Sequence, residues 1–255
     1  MNRHPLAKVA LLLILALLPA LPALAELTRT YVREDYPQLS DAEYANFRVV
    51  ATTGMGKNAL YRSSSPINPK LGRNTQADAA VKAAGIRTAV NLADSRREMR
   101  RRKGFKGSYY SELRILSRRL SVDFTSKNYR EGLAEGLRFI AAQRGPYLIH
   151  CTEGKDRTGF AVAVLECLMG ASADEVIEDY MLSFYNYYGV LPGSRDYENI
   201  LRDNLASDLT KAFGLKSIRA EDADLASRAE SYLLEIGMTQ GEIQALKAHL
   251  SQDNP

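Results

Sequence analysis

The sequence has no tryptophan, two cysteines and three histidines in 255 residues. His4 lies in an apolar N-terminal segment and His249 lies near the C-terminus, so His150 is left in the body of the chain. This inventory excludes a zinc site built from several cysteines and histidines. It also excludes a disulfide-stapled scaffold, and no G-x-S-x-G sequence marks an α/β-hydrolase.

The sequence also has little excess of positive over negative charge. The chain has 34 Lys+Arg against 30 Asp+Glu, a net charge of +4. Half of that excess, Arg3 and Lys8, lies in the first 25 residues. Net charge therefore gives no argument for nucleic-acid binding, and we predict none. At 45% hydrophobic and 25% charged residues the composition is that of a globular protein with a sizeable core.

The N-terminus has the order of a secretory signal. Arg3 and Lys8 precede an apolar run over Val9–Leu18, and the small residues of Ala23–Ala25 follow. We predict a signal peptide over residues 1–25, cleaved after Ala25, and export to the periplasm or out of the cell. The alternative is an uncleaved anchor, although Val9–Ala25 is shorter than the about 20 residues of a spanning helix.

Short strand-like runs alternate with helical ones in the rest of the chain. Strands are predicted at 47–51, 59–62, 87–92, within 113–124 and at 147–150. Helices are predicted at 76–84, 129–143, 158–169, 172–188, 225–236 and 239–250. This alternation predicts one α/β domain over 26–255, with a central, mainly parallel sheet flanked by helices.

The segment with the clearest chemistry follows the strand at 147–150 and reads His150-Cys151-Thr152-Glu153-Gly154-Lys155-Asp156-Arg157-Thr158-Gly159. A loop between a strand and a helix N-terminus turns backbone N–H groups inward, and the helix dipole adds positive charge. Arg157 can hold two phosphate oxygens with its planar guanidinium. Such a cup favours the thiolate form of Cys151, which is the nucleophilic form.

We therefore predict that Cys151 attacks phosphorus and forms a phosphocysteine that water hydrolyses, without metal or cofactor. His150 is expected to orient the loop, Thr158 to donate its hydroxyl to the sulfur, and Gly154 to permit a tight turn. The predicted phosphate-binding residues are Thr152, Glu153, Gly154, Lys155, Asp156 and Arg157. The carboxylate of Glu153 beside a site for a dianion has no explanation at this level.

This segment resembles the signature loop of the cysteine-dependent protein tyrosine phosphatase superfamily. Its Gly-Lys-Asp-Arg-Thr-Gly core is most similar to the bacterial tyrosine and dual-specificity branch, which includes members acting on phosphoinositides. The resemblance extends loosely to Leu60–Ser64, Gly85–Leu92 and Asp179-Tyr180. It implies a sheet flanked by helices and a tyrosine or dual-specificity phosphatase. A phosphoinositide or inositol polyphosphate phosphatase is the alternative, and a non-catalytic phosphate- or membrane-binding module is the alternative from another class.

The general acid that protonates the leaving oxygen has two candidates. Asp123 lies 28 residues before Cys151, where a mobile loop carries the acid in the resembling superfamily. Asp156 lies inside the loop, and the resembling bacterial branch is thought to use an aspartate there. Asp94, at the end of a predicted strand, is a weaker third candidate, and a helix-capping role fits it equally well.

Three further features have a structural and a functional interpretation. Lys155 is either solvated or contacts extra phosphates. The basic residues between Arg96 and Lys106 form either a solvated helix face or a dock for an anionic membrane or polyanionic substrate. The aromatic residues Tyr180, Phe184, Tyr187 and Tyr188 share a helical face, which favours core packing, and the alternative is a rim for the phenol ring of a substrate. Cys167 is expected to be buried and too far along its helix to pair with Cys151.

Overall fold

The computed structural model describes residues 27, 29–220 and 223–254. The predicted signal peptide over 1–25 lies outside these residues. In the described part of the chain, none of the helices has the length and apolar character needed to cross a bilayer.

Five strands form one sheet in the described residues, in the order β1-β2-β5-β3-β4. They are Arg48–Val49 (β1), Leu60–Ser63 (β2), Thr88–Asn91 (β3), Arg114–Ser117 (β4) and Tyr147–His150 (β5). β1 pairs antiparallel with β2, and the other pairs are parallel. The predicted mainly parallel α/β sheet is therefore confirmed, and β5 occupies its centre.

Ten α-helices are formed by residues 29–220 and 223–254. Their bounds are Asp41–Tyr44 (α1), Asn74–Ala83 (α2), Arg96–Arg101 (α3), Lys127–Ala141 (α4), Asp156–Met169 (α5), Ala173–Tyr188 (α6), Arg195–Ile200 (α7), Ser207–Phe213 (α8), Leu225–Glu235 (α9) and Gln240–Leu250 (α10).

Helices cover both faces of the sheet, as expected for parallel strands. On one face Tyr147 and Ile149 of β5 pack into the larger core with residues of α4, α5, α9 and α10. On the other face Leu148 packs into a smaller core with Val81 of α2 and with Tyr110. α5 is apolar on almost every side and lies buried in the larger core. Its first turn, which follows the loop after β5, is thereby fixed.

One helical region escaped the sequence analysis. Residues 195–213 form α7, a π-helical turn over Leu201–Ala206, and α8. The buried residues Leu201, Leu205, Leu209 and Phe213 recur every four positions rather than at the 3.6-residue period of an α-helix. The wider π turn keeps such a four-residue stripe on one face. The strict four-residue spacing was therefore the signal of this helix.

Candidate active site

The loop after β5 is held by its carbonyl groups. Every backbone carbonyl from Cys151 to Lys155 accepts a hydrogen bond. The donors, in order along the loop, are His150 Nδ1 at 3.1 Å, Ser65 N at 3.0 Å, Tyr187 OH at 2.9 Å, Arg62 Nη2 at 2.9 Å and Gly159 N at 2.7 Å. The loop is thus fastened to β5, the segment after β2, α6, β2 and α5.

The backbone N–H groups of the same loop are left free. From Thr152 to Arg157, none of them donates to a protein acceptor within the described residues. Gly154 adopts φ +69°, and a Cβ at this position would lie 2.1 Å from Ser63 O. Glycine is therefore required both by conformation and by space. With its carbonyls tied outward and its N–H groups free, the loop has the form of an anion nest at the N-terminus of α5.

Cys151 and Arg157 flank this nest. Cys151 is 3% exposed at the end of β5. Arg157 Nη1 donates to Leu92 O at 3.2 Å and to Leu120 O at 3.3 Å, while Nη2 donates to Thr152 Oγ1 at 3.2 Å. These bonds attach the guanidinium to the segments that follow β3 and β4. The arginine is therefore held in place before any ligand binds.

His150 is buried next to Cys151. Its Nδ1 lies 3.1 Å from Cys151 O, a pure acceptor, so Nδ1 carries the proton and Nε2 accepts from Tyr110 OH at 2.7 Å. Burial lowers the pKa of His150 to about 4. The imidazole is therefore neutral at physiological pH, and both ring nitrogens are used in orienting the loop.

Glu153, unexplained by the sequence, is surrounded by cations. Arg29 Nη1 lies 2.7 Å and Lys155 Nζ lies 3.4 Å from its carboxylate. Lys155 is 12% exposed and lies 4.9 Å from the ring centroid of Phe184 and 5.2 Å from that of Tyr188. Although burial opposes its charge, Asp156 and Glu153 raise the pKa of Lys155. Lys155 is therefore an enclosed ion-pair partner rather than a solvated lysine.

The two candidate acids lie in contrasting environments. Burial raises the pKa of Asp156, although its side chain is 46% exposed at the mouth of the loop and Lys155 lies 3.7 Å away. Asp123 is exposed, and its Oδ1 accepts from Thr125 N at 3.0 Å and Oγ1 at 2.7 Å. These bonds lower the pKa of Asp123. A carboxyl group with a raised pKa is the better proton donor at neutral pH.

Two other predicted residues have different surroundings from those expected. Asp94 is 1% exposed and accepts from Arg102 Nε at 2.9 Å and from Asn91 Nδ2 at 3.2 Å, which makes it a structural anchor after β3. The Thr158 hydroxyl is buried and makes no hydrogen bond within the described residues. The predicted bond from Thr158 to the Cys151 sulfur is thus not formed in this structure.

Arg62 is the residue that the sequence analysis missed. It is 0% exposed in β2, next to the central strand, donates to the carbonyls of Gly154 and Lys155, and forms an ion pair with Asp179 of α6. Asn46 Nδ2 supports the same loop through Glu153 O at 3.1 Å. An arginine inside an otherwise buried strand was the signal, since a buried charge needs a partner.

Three features remain: the aromatic residues of α6, the two cysteines and the basic segment 96–106. Tyr180, Phe184 and Tyr187 are buried on α6, as core packing predicts. The cysteines are both free and buried, and burial raises the pKa of Cys167 to about 12. The basic segment forms α3 and the turn after it. Six of its cations are exposed and have no ion-pair partner among the described residues: Arg96, Arg97, Arg100, Arg101, Lys103 and Lys106.

Comparison with known proteins gives a family match over most of the chain. The model described as the tyrosine phosphatase family matches residues 37–252. A tyrosine-protein phosphatase of Nostoc commune is 34% identical over 124 residues, 45% of this chain and 42% of that protein. A putative tyrosine-protein phosphatase of Cupriavidus necator is 45% identical over 56 residues, 22% of this chain and 20% of that protein. The chain thus spans less than half the length of either relative.

One solved structure aligns with a low score. It is the core catalytic domain of the PP-IP phosphatase SIW14 from S. cerevisiae in complex with citrate. The TM-score is 0.39 at 18% sequence identity, over 66% of this chain and 91% of that chain.

Proposed function

The chain belongs to the tyrosine phosphatase family, and we propose that it hydrolyses phosphate monoesters through a phosphocysteine on Cys151. The observation that carries this proposal is the loop in which the carbonyls from Cys151 to Lys155 are all bonded while the N–H groups from Thr152 to Arg157 are free. Free N–H groups and a fixed Arg157 suit the three non-bridging oxygens of a phosphoryl group. Cys151 stands at the base of that cup.

The reaction runs in two steps. The Cys151 thiolate attacks phosphorus, the ester P–O bond breaks, and Asp156 gives its proton to the leaving oxygen. Water then attacks the phosphocysteine, Asp156 accepts a proton from it, and the P–S bond breaks to release inorganic phosphate. Thr158 would stabilise the departing thiolate by donating its hydroxyl, a role that Thr158→Val tests. Asp123 is the alternative general acid. Its position in a solvated turn makes it the weaker candidate.

We propose phosphotyrosine-type or dual-specificity substrates, that is, phosphorylated proteins. The enclosure of Lys155 between Glu153, Asp156 and the rings of α6 supports this choice, because the lysine is already engaged by two carboxylates. A phosphoinositide or inositol polyphosphate is the second candidate. It is favoured by the six exposed cations of the basic segment 96–106, which begins four residues after Leu92, whose carbonyl binds Arg157.

A panel of phosphotyrosine, phosphoserine, phosphoinositide and inositol phosphate substrates tests the assignment. We expect the highest kcat/KM on phosphotyrosine peptides, and Cys151→Ser should abolish turnover while phosphate binding survives. Residual turnover in pure Cys151→Ser protein would refute the mechanism. Binding without any turnover by the wild-type protein would favour a non-catalytic phosphate-binding module instead.

The basic segment supports a further partner, an anionic membrane surface. Each basic group near such a surface contributes about 1 kcal/mol. The wild-type protein should therefore float with anionic liposomes and not with neutral ones. A variant with glutamine at Arg96, Arg97, Arg100 and Arg101 should float less with the anionic liposomes. Equal flotation of the two proteins would exclude a membrane role for α3.

We also propose export, with cleavage of residues 1–25 after Ala25. Its support is the order of basic, apolar and small residues at the N-terminus. Mass determination of the mature N-terminus after expression in a Gram-negative host tests it. A chain that begins at Glu26 fits cleavage, whereas an intact, membrane-associated N-terminus fits the anchor.

A further inference from the structure

We propose that Arg29 is a positioning residue of the active site, which neutralises Glu153 so that the loop accepts a phosphate dianion. Arg29 belongs to the segment 29–36, here called the N-terminal strap. The proposal rests on the proposed function, because it concerns how the same loop binds phosphate. It assigns a role to a part of the chain that precedes the matched family region at 37–252.

The contact between the strap and the loop is direct. Arg29 Nη1 lies 2.7 Å from Glu153 Oε1 and donates to Tyr188 OH at 3.1 Å. The two charged side chains are 26% and 18% exposed. An ion pair in this partly enclosed position is screened less by solvent than a pair on the open surface.

The strap is held against α6 by buried groups. The Tyr36 hydroxyl accepts from Thr30 N at 3.2 Å and lies 3.3 Å from Tyr187 O, to which it donates. The guanidinium of the buried Arg73 lies 4.8 Å from the ring centroid of Tyr36 and 3.9 Å from that of Tyr187. Tyr187 itself donates to Glu153 O. The strap and the loop therefore share Tyr187 of α6 as an anchor. This anchor holds Arg29 beside Glu153.

The charges around the loop explain why a second cation is needed. Glu153 and Asp156 both lie within 4 Å of Lys155, at 3.4 Å and 3.7 Å. One lysine offsets one of the two carboxylates, and Arg29 offsets the other. Arg157 forms none of these pairs and donates to backbone carbonyls and Thr152 instead. Its positive charge is thus left for the phosphate.

Removing Arg29 should weaken binding more than chemistry. The uncompensated Glu153 would repel the dianion in the ground state and in the transition state alike, so KM rises while kcat changes little. For Arg29→Ala we expect KM for an aryl phosphate to rise about tenfold with kcat within about twofold. The dissociation constant of inorganic phosphate, measured by calorimetry, should rise by a similar factor.

Second-site rescue separates an electrostatic role from a merely structural one. Arg29→Ala combined with Glu153→Gln should return KM to within about twofold of wild type, and Arg29→Lys should keep most of the affinity because the charge is retained. Arg219→Ala is the matched control, since it removes an exposed arginine paired with Asp174. Asp174 lies fourteen positions before Tyr188 on α6, about 21 Å away along the helix axis.

Two outcomes would overturn the proposal: an unchanged KM and phosphate affinity in Arg29→Ala, or a loss that Glu153→Gln does not restore. If Arg29→Ala does not fold, Glu153→Gln in the otherwise intact chain decides. It should lower KM about threefold by leaving Arg29 uncompensated, and an unchanged or higher KM contradicts the role. A wild-type protein that hydrolyses no phosphate ester would refute the proposed function, whereas the calorimetric comparison would still test Arg29.

Discussion

Two segments at the carboxyl edge of the sheet carry a candidate acid, and they are built in opposite ways. The loop 151–157 after β5 is bonded through its carbonyl groups to residues on other elements, such as Arg62 and Tyr187. The turn 121–126 is closed by its own side chains, with Asp123 N donating to Ser121 Oγ and Thr125 N donating to Asp123 Oδ1. The first arrangement depends on the whole fold, and the second is local.

The difference determines the chemistry of each carboxyl group. Burial raises the pKa of Asp156 although its side chain is 46% exposed, so the carboxyl group retains a proton to higher pH. Asp123 is solvated, and its carboxylate accepts hydrogen bonds from Thr125 Oγ1 and Thr125 N, which lower its pKa. Phe124 stacks on Phe160 of α5 at a centroid distance of 4.6 Å, so the turn is attached to the core while its carboxylate stays outside.

The largest difference between the two segments is expected when the candidate general acids themselves are substituted. Asp156→Asn should lower kcat for an alkyl phosphate by about a hundredfold or more, with a much smaller loss for an activated aryl phosphate that leaves without a proton. It should also remove the alkaline limb of the kcat–pH profile, since kcat falls as pH rises through the raised pKa of Asp156.

Asp208→Asn is the control for this limb. Burial raises the pKa of Asp208 to about 6, and Asp208 interacts electrostatically with both Asp156 and Asp123. Its removal should shift the limb without abolishing it. An alkaline limb that survives in Asp156→Asn and disappears in Asp123→Asn would reverse the assignment.

The next largest effect is expected from a substitution that displaces the backbone of the loop 151–157. Gly154→Ala places a Cβ 2.1 Å from Ser63 O at φ +69°, so the loop must move by about an ångström. A displacement of that size costs about a hundredfold in kcat/KM. Gly107→Ala is a matched control, because Gly107 has φ +83° with open space around its Cβ position. Equal activity of the two variants would show that the loop is not rigidly held.

As the pH falls, the two segments should lower the folding stability in different pH ranges. Burial lowers the pKa of His150 to about 4, against about 6.5 in an unfolded chain, so the unfolded state binds a proton that the native state does not. Stability present above pH 6.5 should therefore fall by about 3 kcal/mol as pH drops toward 4. Asp123, with a lowered pKa, contributes its own loss below that window.

Urea unfolding midpoints across this range give the measurement. The wild-type protein should lose stability between neutral pH and about pH 4, and His150→Asn, although less stable throughout, should lose less over the same interval. Parallel curves for the two proteins would mean that His150 is not buried neutral behind Cys151.

The smallest effect is expected in the turn. Asp123→Asn keeps an oxygen that accepts from Thr125 on an exposed side chain, so the urea midpoint at neutral pH should change little. Activity should change by less than about threefold on alkyl and aryl phosphates alike. A larger, leaving-group-dependent loss would mean that the turn closes over the substrate.

The contrast between the two segments also explains what could be predicted from the sequence. β5, Cys151 and the helix that begins near Asp156 were predictable, because a short apolar strand, a glycine and an apolar helix follow one another in sequence. The general acid was left open, since the surroundings that set the pKa of Asp156 and Asp123 come from distant elements. Arg62 and Arg29 escaped for the same reason: each reaches the loop across more than ninety residues.

Trapping of the intermediate tests the central claim most directly. Rapid quenching of the wild-type protein during turnover of an aryl phosphate, followed by mass spectrometry of peptides, should find one phosphoryl group on the peptide that contains Cys151. The adduct should be absent from Cys151→Ser. Steady turnover with no phosphorylated cysteine, or with the phosphoryl group on another residue, would contradict the account.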